Sequence, residues 1–200
     1  QEVQWPVRLA SLNDNQEKFL KKINKFMEKS PNARLSVLPI TYEEKEKEYI
    51  LYFEAKKRYY LAEHKMRWAS FESKDSTTVE RMSVKDSHFI RSMLKYLNDT
   101  VFLFTTRQKC AAYLGKIASP DSQNLIKQGE ALVNMRYSLL RKQRENKFLS
   151  FFNKDEVKQR IIFLNGQTEV PFNGFSFYKL TYKNDIPDDL RKVYLQMLDL

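Results

Sequence analysis

Two hundred residues with 42% hydrophobic and 14% aromatic content can bury a real core, since a chain of this size typically hides roughly 70% of its unfolded surface. Charged residues make up 30% and the mean hydropathy is −0.62; uncharged runs fall well short of the roughly 18 apolar residues a membrane span needs, so no spanning helix is expected. Lys and Arg number 35 against 25 Asp and Glu, a net charge of +10, which favours solvated surfaces and attracts nucleic acid, anionic lipid or acidic polymer.

The chain begins with Gln1 and shows no apolar signal core, so it is read as a processed protein or an excised fragment. Gln4 to Ala10 alternates well enough for a first strand, with Pro6 confining its beginning to an edge or a strand start. Asp14 and Glu17 form an Asp-x-x-Glu capping pair. Behind them Phe19, Ile23, Phe26 and Met27 share a helical face, while Lys18, Lys21, Lys22, Lys25 and Lys29 lie mostly off it. Ser30-Pro31-Asn32 ends that helix. A short strand at Leu35 to Val37 follows, closed by Pro39.

Glu43, Glu44, Glu46 and Glu48 crowd the start of the next helix, where they complement its dipole. Ile50, Phe53, Lys57, Tyr60 and Leu61 form its stripe, with the stem of Lys57 snorkelling. Ser73 to Thr78 reads as a polar loop. Asp86 to Leu97 reads as a shorter helix through Phe89, Ile90, Met93, Leu94 and Leu97, and Val101 to Phe104 as a strand or buried turn. Ser119-Pro120-Asp121 starts a long helix running to about Phe152, in which Gly129 marks either a break or a close contact. Strands are expected at Arg160 to Leu164 and Phe175 to Tyr182, separated by a loop with Gly166, Pro171 and Gly174. Leu190, Val193, Tyr194, Met197 and Leu198 give the last segment a helical stripe.

Chemistry is sparse. His64 and His88 are the only histidines and Cys110 the only cysteine, which excludes an internal disulfide and disfavours a metal site. Four glycines form neither a GxGxxG nor a Walker loop. Cys110 precedes Ala111 and Ala112, as a small buried thiol would. The acids of Glu43 to Glu48 read as a solvated helix start. Arg58-Tyr59-Tyr60 and Lys147 to Phe152 interleave cations with aromatics, a pattern that suits base stacking but at helical spacing also suits a core.

Val7-Arg8-Leu9-Ala10-Ser11-Leu12 before a capped helix, Leu35 to Thr41 after Ser-Pro-Asn, and Phe53-Glu54-Ala55-Lys56-Lys57-Arg58 resemble the OmpA-like, peptidoglycan-associated βαβαβ fold. Val84 to Phe89, Leu132 to Arg136 and Arg160 to Phe163 are similar to the C-terminal region, of unknown function, of large AsmA-like envelope proteins. The resemblance implies one α+β domain over residues 1–200, a mixed sheet backed by helices and split by a mainly helical insertion at about 67–129. The family's ligand-binding aspartate and arginine fall, aligned without gaps from Thr41, on Tyr42 and Lys57; a shifted register would offer Arg58 for the arginine. A phenol does not replace a carboxylate, and an ammonium lacks the bidentate fork, so the family's usual binding of peptidoglycan is not expected.

These readings lead to a non-enzymatic interaction domain of a larger bacterial protein, periplasmic or otherwise in the cell envelope, with no cofactor and no metal. Its expected partners are anionic envelope polymer, lipid headgroups or an envelope protein. The basic helices, Lys18 to Lys29 and Arg141 to Lys158, are the candidate surfaces, with Lys56, Arg58, Arg141, Lys142, Arg144 and Lys147 as candidate basic residues. The alternative from another class is a basic nucleic-acid-binding module.

Overall fold

Segments from both ends of the chain pair into a single sheet. In the computed structural model, which describes residues 1–97, 103–115, 121–165 and 171–185 with the single positions 187, 190, 194 and 195, these are β1 (Glu2–Pro6), β2 (Arg34–Ile40), β3 (Ile161–Phe163) and β4 (Phe175–Lys183). Their order is β1-β4-β2-β3, with β4 antiparallel to β1 and β2, and β2 parallel to β3. Seven α-helices complete an α+β architecture among the described residues. By internal contacts the chain divides into a sheet unit, Gln1–Tyr42 with Leu139–Leu200, and a helical unit, Glu43–Ser138. The expected insertion at about 67–129 falls inside the second.

In the sheet unit, β1 starts and stops earlier than its alternation suggests. It ends at Pro6 because Arg8 takes a left-handed φ of 65° and Leu9 N–H donates back to the Pro6 carbonyl, turning the chain. The first helix, α1 (Asp14–Lys29), is capped one residue before the expected pair. Asn13 Oδ1 accepts from Gln16 N–H at 2.9 Å, and Gln16 Oε1 accepts from Asn13 N–H at 3.4 Å. This reciprocal box satisfies donors that the first turn leaves open.

Pro39 does not close β2. Leu35 N–H donates to the Arg160 carbonyl and the Val37 carbonyl accepts from Leu164 N–H, so odd positions of β2 aim their backbone groups at β3. Pro39 lies past the last paired residue of β3, Phe163, where no donor is required. Val3, Trp5, Leu35, Val37, Tyr178 and Leu180 cover one sheet face and pack with Phe19, Leu20, Ile23 and Met27 of α1, and with Phe148 and Phe152. A short helix α7 (Asp155–Lys158) leads into β3 and adds Val157 to this core. Leu190 is buried there and Tyr194 is packed against it; Val193, Met197 and Leu198 of the expected last stripe lie outside the described residues, as does Gly166.

The helical unit contains α2 (Glu43–Glu63), α3 (Ser73–Arg81), α4 (Ser87–Tyr96), α5 (Thr106–Leu114) and the residues up to Ser138 of α6 (Ser122–Leu149). The expected polar loop at Ser73 to Thr78 is instead α3. Asp75 holds its start by accepting from Glu72 N–H at 2.9 Å, and Val79 is fully buried. Asp86 caps α4 by accepting from the N–H groups of His88 and Phe89. Of the expected strand at Val101 to Phe104, Val101 and Phe102 lie outside the described residues, and Leu103 and Phe104 form a turn. Ser119 and Pro120 also lie outside them. Gly129 is a close contact and not a break: a Cβ there would stand 1.9 Å from the Ala111 carbonyl oxygen, so α5 and α6 approach backbone to backbone.

Candidate functional site

Tyr42 and Lys57, the positions expected from the resemblance, belong to different units and have different occupations. Tyr42 follows β2 in the sheet unit; its hydroxyl donates to the Pro171 carbonyl at 3.1 Å and its ring meets Phe172 edge-on. Desolvation, then the charge of Glu2, raises its pKa, so it stays a neutral phenol. Lys57, on α2, places its ammonium 3.8 Å from the Trp68 ring centroid and 4.0 Å from that of Phe71. Such cation–π contacts hold a Lys head on an aromatic platform at the surface; Trp68 is 50% exposed.

The candidate basic residues separate into exposed and internal groups. Arg141 and Lys142 are exposed on α6. Lys147 is half-buried, 2.8 Å from Glu17 Oε1 and over the Phe151 ring; that hydrogen bond lowers the pKa of Glu17. Lys56 and Arg144 are not surface residues. Lys56 is 8% exposed and donates to the carbonyls of Glu80 at 3.1 Å and Met82 at 3.0 Å, closing the end of α3. Arg144 is 2% exposed and donates through Nε to the Leu9 carbonyl and through Nη2 to the Pro6 carbonyl, both at 2.9 Å. It clasps the turn that ends β1. Arg58 is half-buried, donating to the carbonyls of Tyr113 and Gly115 and to the Tyr96 hydroxyl, with its guanidinium over both tyrosine rings. A guanidinium with several donors in one plane suits such carbonyl clusters. Arg160, expected only as a strand residue, does the same for the end of α1. It reaches the carbonyls of Met27 at 2.7 Å and of Ser30 and Ala33 at 2.8 Å, where positive charge also meets the negative end of the dipole.

A coherent charged surface lies on α1. Lys18, Lys21, Lys22, Lys25 and Lys29 are all exposed, and their spacing of three, one, three and four residues keeps them within a stripe roughly 100° wide at about 3.6 residues per turn. Phe19, Leu20, Ile23 and Met27 occupy the opposite, buried face.

A cleft of about 100 Å³ opens at the carboxyl ends of β2 and β3, within the sheet unit. Trp5, Ser176 and Tyr178 of the sheet, Phe163 and Asn165, and Arg141, Arg144 and Glu145 of α6 contribute to its lining. Trp5 and Ser176 sit opposite each other across the β1–β4 ladder. Both are buried, 0% and 1% exposed, and among the described residues neither Trp5 Nε1 nor Ser176 Oγ has a hydrogen-bond partner. Sequence reasoning missed this pair, because an indole and a hydroxyl in alternating strands look the same whether or not anything meets them.

Two further titratable groups are buried. Cys110 is fully buried in α5, and burial pushes its thiol up to about 12, which makes it a poor nucleophile. Glu46 is fully buried, so the acidic start of α2 is not uniformly solvated as expected; its position on α2 points it inward with Ile50 and Phe53. Phe148 and Phe152 lie in the core, and Tyr59 and Tyr60 meet Phe89 and Phe71 edge-on. Among the described residues no group of three His, Cys, Asp or Glu side chains could hold a metal ion, and no helix is long and apolar enough to cross a membrane. Comparison with protein-family models, with curated proteins and with solved structures finds no match to this chain.

Proposed function

We propose that this chain is a non-catalytic interaction domain of a larger bacterial envelope protein, and that the lysine face of α1 contacts an anionic envelope polymer. The observation that carries the reading is the segregation of five exposed lysines on one side of α1, diametrically away from its buried side. Lysine heads are compact, strongly hydrated and mobile point charges. A row of them matches a repeated anionic group along a polymer better than one fixed ligand. The envelope placement rests on the OmpA-like and AsmA-like resemblance, which the succession of β1, α1 and β2 in a mixed sheet supports. The family's mode of binding is not part of the proposal, since Tyr42 is a neutral phenol bonded to Pro171.

A basic nucleic-acid-binding module has less support. Its stacking platform would be Phe148, Phe152 or the Tyr59-Tyr60 pair, and these side chains are engaged inside their own units. Charge alone would then carry binding.

Cosedimentation with purified peptidoglycan sacculi bearing their anionic polymers, with anionic vesicles and with duplex DNA, each over a salt series, tests the proposal. Retention on sacculi that weakens as salt rises is expected, because exposed charges are screened beyond about 10 Å at 0.1 M ionic strength. Replacing Lys18, Lys21, Lys22, Lys25 and Lys29 together by Gln should abolish it. Retention that survives those five substitutions, or that is stronger on DNA, overturns the reading.

A further inference from the structure

We infer that the end of the sheet where β2 begins and β4 finishes binds a phosphate monoester dianion, a site separate from the lysine face of α1 and independent of its proposed role. The register of the sheet carries the inference. Arg34 and Lys183 are directly opposite each other across the antiparallel β2–β4 ladder, where Cβ atoms stand about 5 Å apart and like charges destabilise the pairing. Both side chains are exposed, on the sheet face away from Leu35 and Tyr182, which pack on the core. On the other side of Arg34, the parallel pairing of Leu35 with Ile161 sets Arg160 beside it. Three cations therefore stand in one row across adjacent segments of the chain.

Among the described residues no carboxylate neutralises this row. Neither Arg34 nor Lys183 forms an ion pair or a side-chain hydrogen bond. The guanidinium of Arg160 meets only carbonyl groups, those of Met27, Ser30, Ala33 and Glu156, which leaves its charge in place. Glu156 and Asp185, the acids closest along the chain, make no ion pair with the row. The pair is also held in position. Asn184, at a left-handed φ of 75°, donates from Nδ2 to the Asn32 carbonyl at 3.1 Å, and so ties the two segments together just beyond Arg34 and Lys183.

Two adjacent unpaired cations select the charge of the ligand. A carboxylate or a phosphodiester brings one negative charge and leaves one cation of the pair unmet, whereas a phosphate monoester carries nearly two at neutral pH. Its terminal oxygens suit the set: the planar guanidinium of Arg34 forks onto two of them, and the Lys183 ammonium, a compact point charge, takes the third. Thr181, exposed two residues before Lys183 on the same face, adds a hydroxyl. Because the row is exposed, the group recognised is the phosphate itself and not the body that carries it.

The backbone amide resonances of Arg34, Thr181 and Lys183 in a nitrogen-labelled sample of the whole chain read binding at this place. Titration with glucose 6-phosphate should move them in a saturable manner, and the affinity should rise as pH passes through about 6, where the second phosphate proton leaves. Dimethyl phosphate, a diester with one charge throughout, should bind at least about tenfold more weakly at neutral pH, one charge-assisted contact being worth about that factor. Arg34→Gln should weaken glucose 6-phosphate by about tenfold. Lys183→Glu gives Arg34 an opposite charge across the ladder, so it should abolish binding while raising the melting temperature in phosphate-free buffer, a combination that loss of folding cannot produce. Replacing the five α1 lysines by Gln should leave binding at these resonances unchanged. Inorganic phosphate and vesicles containing phosphatidate, run on the same variants, separate a free ion and a lipid headgroup from a phosphorylated small molecule: the source is the probe that binds tightest and is lost with Lys183→Glu. Resonances that glucose 6-phosphate does not move overturn the proposal. So does a Lys183→Glu chain that binds as tightly as the unaltered one, or dimethyl phosphate that matches glucose 6-phosphate at neutral pH.

Discussion

In α1 of the sheet unit, buried side chains take one side and five exposed lysines the other; in α2 of the helical unit, Glu46, Ile50, Leu51, Phe53, Ala55, Lys56 and Leu61 are all buried and together surround the helix axis. A helix that packs on one side can segregate charge onto its free side. A helix enclosed from several directions cannot, and cations in its middle turns meet carbonyls or rings, as Lys56, Lys57 and Arg58 do. The sheet unit uses the same device where guanidiniums face buried chain ends, at Arg144 and Arg160. A net charge of +10 therefore overstates the positive surface, and the difference between the units shows which cations remain for a partner.

The strongest test of that contrast removes an internal cation. Arg144→Met keeps much of the buried stem but strands the Pro6 and Leu9 carbonyls, so a loss of about 3 kcal/mol in chemical denaturation is expected; a loss below about 0.5 kcal/mol would make Arg144 equivalent to a surface residue. Backbone spacing gives the next largest effect. Gly129→Ala drives a Cβ into the Ala111 carbonyl and should cost about 2 kcal/mol. Gly174→Ala in the sheet unit meets open space at a φ of 98° and should cost about 1 kcal/mol through strain alone. Thermal unfolding of the two variants must rank them in that order.

Smaller effects are expected from titration. The Cys110 thiol moves from an ordinary value of 9.0 to about 12 on folding, through burial. Because the folded value is the higher one, its stabilising contribution is complete below pH 9 and is lost as pH rises toward about 12. Burial raises Tyr182 in the sheet unit in the same direction, so Cys110→Ala should remove only part of the alkaline loss seen in pH-dependent melting. At the other end of the scale, Glu17 has a lowered pKa through Lys147 and Asp75 through the Glu72 N–H. Each stabilises at neutral pH and loses that contribution as pH falls through the acid range, a small effect for such accessible groups. Smallest of all, Lys21→Gln or Lys25→Gln alone should leave the melting temperature within the change expected for about 0.5 kcal/mol, even as binding to a polyanion weakens.

Periodicity located α1, α4, the long α6 and the strand cores of β2, β3 and β4, because one-sided burial stamps a repeat of three to four residues or of two on the sequence. It failed where local and tertiary preferences part. Ser73 to Thr78 looks like a loop by composition, yet Tyr60 of α2 donates to Asp75 at 3.0 Å and the buried Val79 anchors the turn that follows. Pro39 looks like a strand terminator, yet it lies past the last β2–β3 pair, Val37 with Phe163, so the ladder to β3 needs no donor from it. Of the candidate site residues, Arg141 and Lys142 were legible as exposed cations, while Lys56 and Arg144 were not legible as internal ones.

By itself the sequence determined most of the helices and strand cores, the single buried thiol and the lysine face of α1, since each follows from residues within a few positions of one another. The inward cations and the unpartnered Trp5 and Ser176 were decided only by tertiary structure. The carbonyls that hold Arg144 are 135 and 138 residues away, and Ser176 reaches Trp5 only through the β1–β4 ladder. No local pattern encodes which distant backbone group will meet a side chain, or that none will.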